Sequence, residues 1–116
     1  MSVPDCIFCK IVNGEIPSDV IFHDEHVTAF RDLKPQAPVH ILIVPNRHVE
    51  SLSGLGDGDE ALAGKLLHVA ARLAAQEKIA ESGFRVVVNN GSGAGQSVFH
   101  LHLHLLGGRP MLWPPG

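Results

Sequence analysis

Residues 100–106 read His-Leu-His-Leu-His-Leu-Leu, and this strict alternation constrains the chain more than any other stretch. A helix would scatter the three rings around its axis. An extended strand sends side chains i, i+2 and i+4 to one face. The run is therefore expected as the core of a strand over residues 98–106. His100, His102 and His104 would then share a face, each roughly 6.7 Å from the next along the chain. Phe99, Leu101, Leu103 and Leu105 would turn the other way, into a core under a helix. A solvated polar face is the plain alternative, but three aligned imidazoles are an unusual way to build one.

Two chemistries use such a row. Alternating histidines can chelate zinc if further ligands arrive from elsewhere. A neutral imidazole is also a nucleophile near neutral pH, because its ordinary pKa is about 6.5. Neighbouring imidazoles can then donate hydrogen bonds or protons to phosphoryl oxygens and the leaving group. The segment just upstream, Asn89-Asn90-Gly91-Ser92-Gly93-Ala94-Gly95-Gln96-Ser97, favours the second. Its glycines let backbone N–H groups approach a ligand, and Asn89, Gln96 and Ser97 add neutral donors. Such a loop suits a tetrahedral anion. A metal site would favour nearby carboxylates, and the loop has none.

The remaining elements follow from local patterning. Asp5 is placed to cap a short helix over residues 6–12, with Asn13-Gly14 as its stop and Pro17 preventing continuation. Residues 20–23 and 26–31 predict a hairpin about Asp24-Glu25. Residues 40–44 predict a buried strand ending at Pro45. A helix is expected over residues 59–80, capped by Asp57 or Asp59 and ended by Gly83. Leu62, Leu66, Val69, Ala70 and Leu73 share its apolar face, while Lys65, His68, Arg72 and Gln76 lie on a polar one. A strand over residues 84–88 and the histidine strand complete the order helix, three strands, long helix, two strands. Hairpins plus one helical crossover imply an α+β fold with a mostly antiparallel sheet, in a single domain spanning 1–116. His23, His26 and His68 are expected at the surface.

Bulk properties exclude several classes. Apolar residues make up 45% of the 116, too many for a disordered chain. With 9 basic against 12 acidic residues and no basic block, neither a long nucleic acid nor an acidic membrane is an expected partner. Any anionic ligand must be held by aimed local donors. Met1-Ser2-Val3-Pro4-Asp5 has no leader character, and no apolar run is long enough to span a membrane. The two cysteines, Cys6 and Cys9, are too close in sequence to staple much, so a reduced, cytoplasmic setting is expected. Their spacing is half of a zinc site. Two buried free thiols are the alternative, and a redox pair is disfavoured because no strand precedes it.

The His100–Leu106 run closely resembles the alternating signature of the histidine triad (HIT) family. The likeness extends to Asp5-Cys6-Ile7-Phe8-Cys9-Lys10-Ile11, Gly14-Glu15-Ile16-Pro17, Ala29-Phe30-Arg31-Asp32 and Pro35-Gln36-Ala37-Pro38-Val39-His40. It continues through Gly95-Gln96-Ser97-Val98-Phe99-His100 to the Trp113-Pro114-Pro115-Gly116 tail. These segments are similar to the Hint branch across nearly the whole chain.

The resemblance implies a HIT-like five-stranded antiparallel sheet with one long and one short helix, joined to a second copy in a twofold homodimer. The Trp113 tail would reach the partner's site. It implies a hydrolase that cleaves the P–N bond of purine nucleoside 5′-phosphoramidates, including adenosine 5′-monophosphoramidate and aminoacyl- or lysyl-linked nucleotides. His102 would be the nucleophile, forming a nucleotidyl-histidine intermediate that water hydrolyses. His104 and His40 would surround the phosphate, and Ser97 would serve the leaving nitrogen. Asn89, Gly95 and Gln96 would hold phosphoryl and ribose groups. Asp32 would accept the ribose hydroxyls, with Leu33 near the base. Some relatives with the cysteine pair bind a structural zinc, which here maps onto Cys6, Cys9, His48 and His100. No cofactor is then required for the chemistry itself. Ile7, Phe8 and Ile11 beside Leu33 would make an apolar slot tolerant of several purines. Two other functions stay open at this point. One is hydrolysis or transfer of dinucleoside polyphosphates or nucleotide-sugars, and the other is a non-catalytic nucleotide-binding or scaffolding role.

Overall fold

The computed structural model describes residues 3–116, so Met1 and Ser2 of the N-terminal segment lie outside it. Its centre is one antiparallel five-stranded sheet with strand order β1-β2-β3-β5-β4. The strands are β1 (Val20–His23), β2 (Val27–Arg31), β3 (Val39–Pro45), β4 (Phe84–Val88) and β5 (Leu103–Gly107). Helix α1 (Ile7–Val12) precedes the sheet, and helix α2 (Glu60–Gln76) makes the crossover between β3 and β4. The α+β architecture and element order match the sequence reading. Among the described residues, no helix is long and apolar enough to cross a membrane.

The register explains how the sheet divides its labour. Ala29, Ile43, Leu103 and Val88 form one transverse row, and Phe30, Leu42, His104 and Val87 form the next. Successive rows point to opposite faces. One face carries Val27, Ala29, Ile41, Ile43, Leu101, Leu103 and Leu105 into a core closed by Leu66, Val69, Ala70, Leu73 and Ala74 of α2. The other face carries Phe30, Leu42 and Val44 against Cys6, Phe8 and Cys9 at α1. His40 and His104 project from this second face, because each sits at an even step from Leu42 along or across the ladder.

The structure corrects several local expectations. Cys6, not Asp5, caps α1: its sulfur accepts the Cys9 N–H at 3.3 Å. Helix α2 stops at Gln76 rather than 80. Lys78 adopts a left-handed φ of 62°, which turns Ile79 back onto the sheet. Neither aspartate caps α2 with its side chain. Asp59 instead accepts the Gly56 N–H at 2.8 Å and pairs with Arg47.

Most consequential, the last strand begins at Leu103, not at residue 98. Its partner β3 ends at Pro45, which has no N–H to continue the ladder. Residues 98–102 therefore run on without strand pairing. Leu101 N donates to Val49 O at 2.7 Å, and the Pro45 carbonyl accepts from the His100 ring instead. Phe99, freed from the ladder, is 48% exposed rather than in the core.

Candidate active site

The even-numbered face and α1 enclose a cleft of about 530 Å³. Ile7, Phe8 and Ile11 of α1 form one wall, with Phe30 and Leu42 as its floor. Asp32, Leu33 and Lys34 follow β2, while Ser97, Val98, His102 and His104 close the far side. Eight of the residues singled out from sequence thus come together: Ile7, Phe8, Ile11, Asp32, Leu33, Ser97, His102 and His104. Leu33 is an almost fully exposed lip and Ser97 an exposed rim residue. Arg31 also borders the cleft, but its guanidinium is held by a bidentate pair with Glu77 at 2.9 and 3.0 Å.

The hydrogen bonds assign the imidazole tautomers. His102 Nδ1 lies 2.7 Å from the His100 carbonyl oxygen. A carbonyl only accepts, so Nδ1 carries the proton and Nε2 keeps a lone pair. The Phe8 ring meets His102 edge-on at 5.1 Å and fixes its plane.

His40 is held from the other side. Its Nδ1 accepts the Gln36 N–H at 3.0 Å, so neutral His40 carries its proton on Nε2. That proton points to His104 Nδ1 at 2.9 Å. His104 must then hold its own proton on Nε2. His40 itself is buried behind His104 and does not line the cleft. It acts through its neighbour. Burial keeps His40 below its ordinary pKa despite Asp32, whose Oδ2 is 3.5 Å from Nε2. Burial, reinforced by the charges of His102 and His40, pushes His104 down to about 4. Both rings are neutral donors near pH 7.

The glycine-rich loop is built differently from the expectation. Gln96 is buried, and its amide is spent within the protein. Oε1 accepts the Gly91 N–H at 2.8 Å, while Nε2 donates to the Glu50 and Val98 carbonyls at 2.8 and 3.1 Å. Asn89, Gly95 and Gln96 all lie off the cleft wall, leaving Ser97 as the loop's polar contribution to it. Gly91 and Gly95 have positive φ values of 87° and 91°, which the tight 3-10 turn between them requires. Sequence reasoning missed Gln36, whose backbone N–H sets the His40 tautomer. The turn-forming Pro35 beside it was the only signal.

A second cluster lies behind the cleft. Cys6, Cys9, His48 and His100 bring their ligand atoms within 4.8 Å of one another. Cys6 Sγ is 3.2 Å from His100 Nδ1. Cys9 Sγ is 3.5 Å from His48 Nδ1 and 3.6 Å from His100 Nδ1. The S···N edge of a tetrahedral zinc site is about 3.5 Å, given Zn–S near 2.3 Å and Zn–N near 2.05 Å. The donor set fits a closed Cys2His2 centre. His100 donates Nε2–H to Pro45 O at 2.8 Å, which leaves Nδ1 as the ligand atom and supplies the outer-shell bond such a histidine needs. Burial raises the Cys9 thiol and pushes His100 down to about 4.

Asp32, His40 and His104 also cluster, and Asp32 supplies the carboxylate the loop lacks. Here, however, the His40–His104 nitrogens are 2.9 Å apart, shorter than the ~3.3 Å edge between two imidazoles on one zinc. That spacing is a hydrogen bond, not a chelate.

Comparison with known proteins agrees with this geometry. The purine nucleoside phosphoramidase of Escherichia coli (strain K12) is 49% identical over 107 residues, covering 92% of this chain and 90% of that protein. A HIT family hydrolase of Legionella pneumophila superposes with a TM-score of 0.95 at 51% identity, covering 97% of this chain and all of the other. A histidine triad protein of Clostridium difficile gives 0.94 at 45% identity, covering 97% of each chain. Residues 13–111 match the HIT domain family. With the triad, the sheet and the cleft in agreement, the chain belongs to the HIT family.

Proposed function

We propose that this chain is a purine nucleoside phosphoramidase, hydrolysing the P–N bond of nucleoside 5′-phosphoramidates to the nucleoside monophosphate and a free amine. The observation that carries the reading is the His102 tautomer: Nδ1–H is given to the His100 carbonyl at 2.7 Å, and the ring lines the cleft with its other nitrogen unprotonated. The phosphoramidase relative from Escherichia coli supports the substrate class.

In this mechanism His102 Nε2 attacks phosphorus and forms an N–P bond. The substrate's P–N bond breaks, and the departing amine takes its pair of electrons and a proton delivered at Ser97 Oγ. Water then attacks phosphorus, displaces His102 Nε2 and yields the monophosphate, and the proton it sheds restores the one given up at Ser97 Oγ. Two displacements replace one harder one. His104, locked as the Nε2–H tautomer through His40 and Gln36, donates to a phosphoryl oxygen as a neutral group. Asp32 holds Lys34 N with Oδ1 at 2.8 Å and offers its remaining acceptor capacity to ribose hydroxyls. The base lies in the slot of Ile7, Phe8, Ile11 and Leu33.

Zinc held by Cys6, Cys9, His48 and His100 would supply a structural cross-link, since four protein ligands leave no open position for chemistry. We also propose a cytoplasmic homodimer of single-domain chains. The His102→Ala variant should abolish turnover of adenosine 5′-monophosphoramidate while still binding AMP. Near wild-type turnover by that variant would overturn the mechanism.

A further inference from the structure

The reaction above uses His102, His104, Asp32 and Ser97 and gives the Cys6, Cys9, His48 and His100 cluster no part. Yet the cluster is joined to the cleft at two points. The first is α1. This helix has six residues, too few to persist unaided in water, and no strand pairs with it. On one side Phe8 packs edge-on against Phe30 at 5.4 Å. On the other, Cys6 and Cys9 reach the cluster. Between these attachments α1 presents Ile7, Phe8 and Ile11 to the cleft. Ile7 is nearly half exposed, so apart from the buried Phe8 ring the cluster is what anchors that end of the wall.

The second point is His100. Its ring belongs to the cluster, and its carbonyl accepts the His102 Nδ1–H. The Phe8 ring touches both imidazoles, at 5.9 Å from His100 and 5.1 Å from His102. None of the four cluster residues lines the cleft itself.

We propose that a metal ion in the Cys6–Cys9–His48–His100 cluster positions the apolar wall of the nucleotide cleft, so that nucleotide affinity depends on metal occupancy although no metal ligand touches the nucleotide. The inference rests on the nucleotide reading of the cleft. The two links are unequal. The bonds from His100 Nε2 to Pro45 O and from His102 Nδ1 to His100 O need no metal. The sulfur contacts of 3.2–3.6 Å that tie α1 down are weak on their own. Metal loss therefore weakens binding more than it slows the chemical step. Partial loss of apolar contact along the wall corresponds to a roughly tenfold weaker AMP Kd.

The test compares full-length protein stripped by a chelator with the same protein reloaded with zinc. Three quantities are read: AMP affinity by calorimetry, amide hydrogen exchange over residues 6–13, and the split between KM and kcat. His48→Ala gives a second route to the metal-free state, and the stripped wild type carries the comparison if that variant fails to fold. The expected result is faster exchange confined to α1, about a tenfold rise in Kd and KM, and kcat within about threefold. Three results would overturn the inference: unchanged AMP affinity and α1 exchange without metal, exchange that rises equally across α2 and the sheet, or no zinc taken up at all. Zinc-dependent AMP binding by a protein that cleaves no phosphoramidate would sink the catalytic reading and leave this one standing.

Discussion

Acid should charge His104 at a cost that can be read as lost stability. The ring sits half-buried against His102 and His40, and burial first, then those neighbours, push its pKa down to about 4. In the unfolded chain it titrates near its ordinary value of about 6.5. Between those values the unfolded state binds more protons than the folded one, so stability is whole above about pH 6.5 and falls as pH drops toward about 4. Each unit of difference is worth about 1.4 kcal/mol, so integration from about pH 7 to about pH 5 gives at most about 2 kcal/mol, and solvent screening of this half-buried ring brings it to about 1 kcal/mol. Urea unfolding of wild type and His104→Gln at both pH values isolates it. Glutamine does not titrate, so the difference between the two pH dependences removes His100 and the carboxylates, which both proteins share. Wild type should lose about 1 kcal/mol more than the variant. Equal losses would refute the reasoning, because they would mean that the ring accepts a proton in the folded protein without penalty.

Two further outcomes follow from packing. A Cβ added at Gly107 would lie 2.5 Å from Ile79 Cδ1, so Gly107→Ala should destabilise by about 1–3 kcal/mol in a denaturant melt. Gln96→Ala strands the Gly91 N–H and two carbonyls, and should lower stability by about 2 kcal/mol while leaving the imidazole tautomers intact. A Gln96 variant with wild-type stability would mean that water replaces the amide fully.

The alternation of residues 100–106 makes the two faces legible in the sequence itself. Leu101, Leu103 and Leu105 do enter the α2 core. The hairpin, the buried third strand and the apolar stripe of the long helix were equally legible, because period-two and period-3.6 patterns are local properties. What escaped was set by partners distant in sequence. Phe99 reads as a core residue until β3 is seen to end at Pro45. Asp5 reads as a helix cap until the Cys6 sulfur takes that place. Gln96 reads as a ligand donor until the Glu50 carbonyl, 46 residues away, claims its amide. Asp32 carries no local sign that it will stand 3.5 Å from His40 Nε2. Resemblance placed the Cys6, Cys9, His48 and His100 set, which spacing alone left half complete.

The two-sided register of the sheet bears on how such a protein can change over time. Odd-numbered letters of the two central ribbons (Ile41, Ile43, Leu103, Leu105) pack under the long helix, whereas even-numbered ones face the cleft side, Leu42 and His104 directly and His40 through His104. Selection for a new substrate and selection for a sound scaffold thus act on interleaved but separate alphabets. A lineage can rewrite one without misspelling the other.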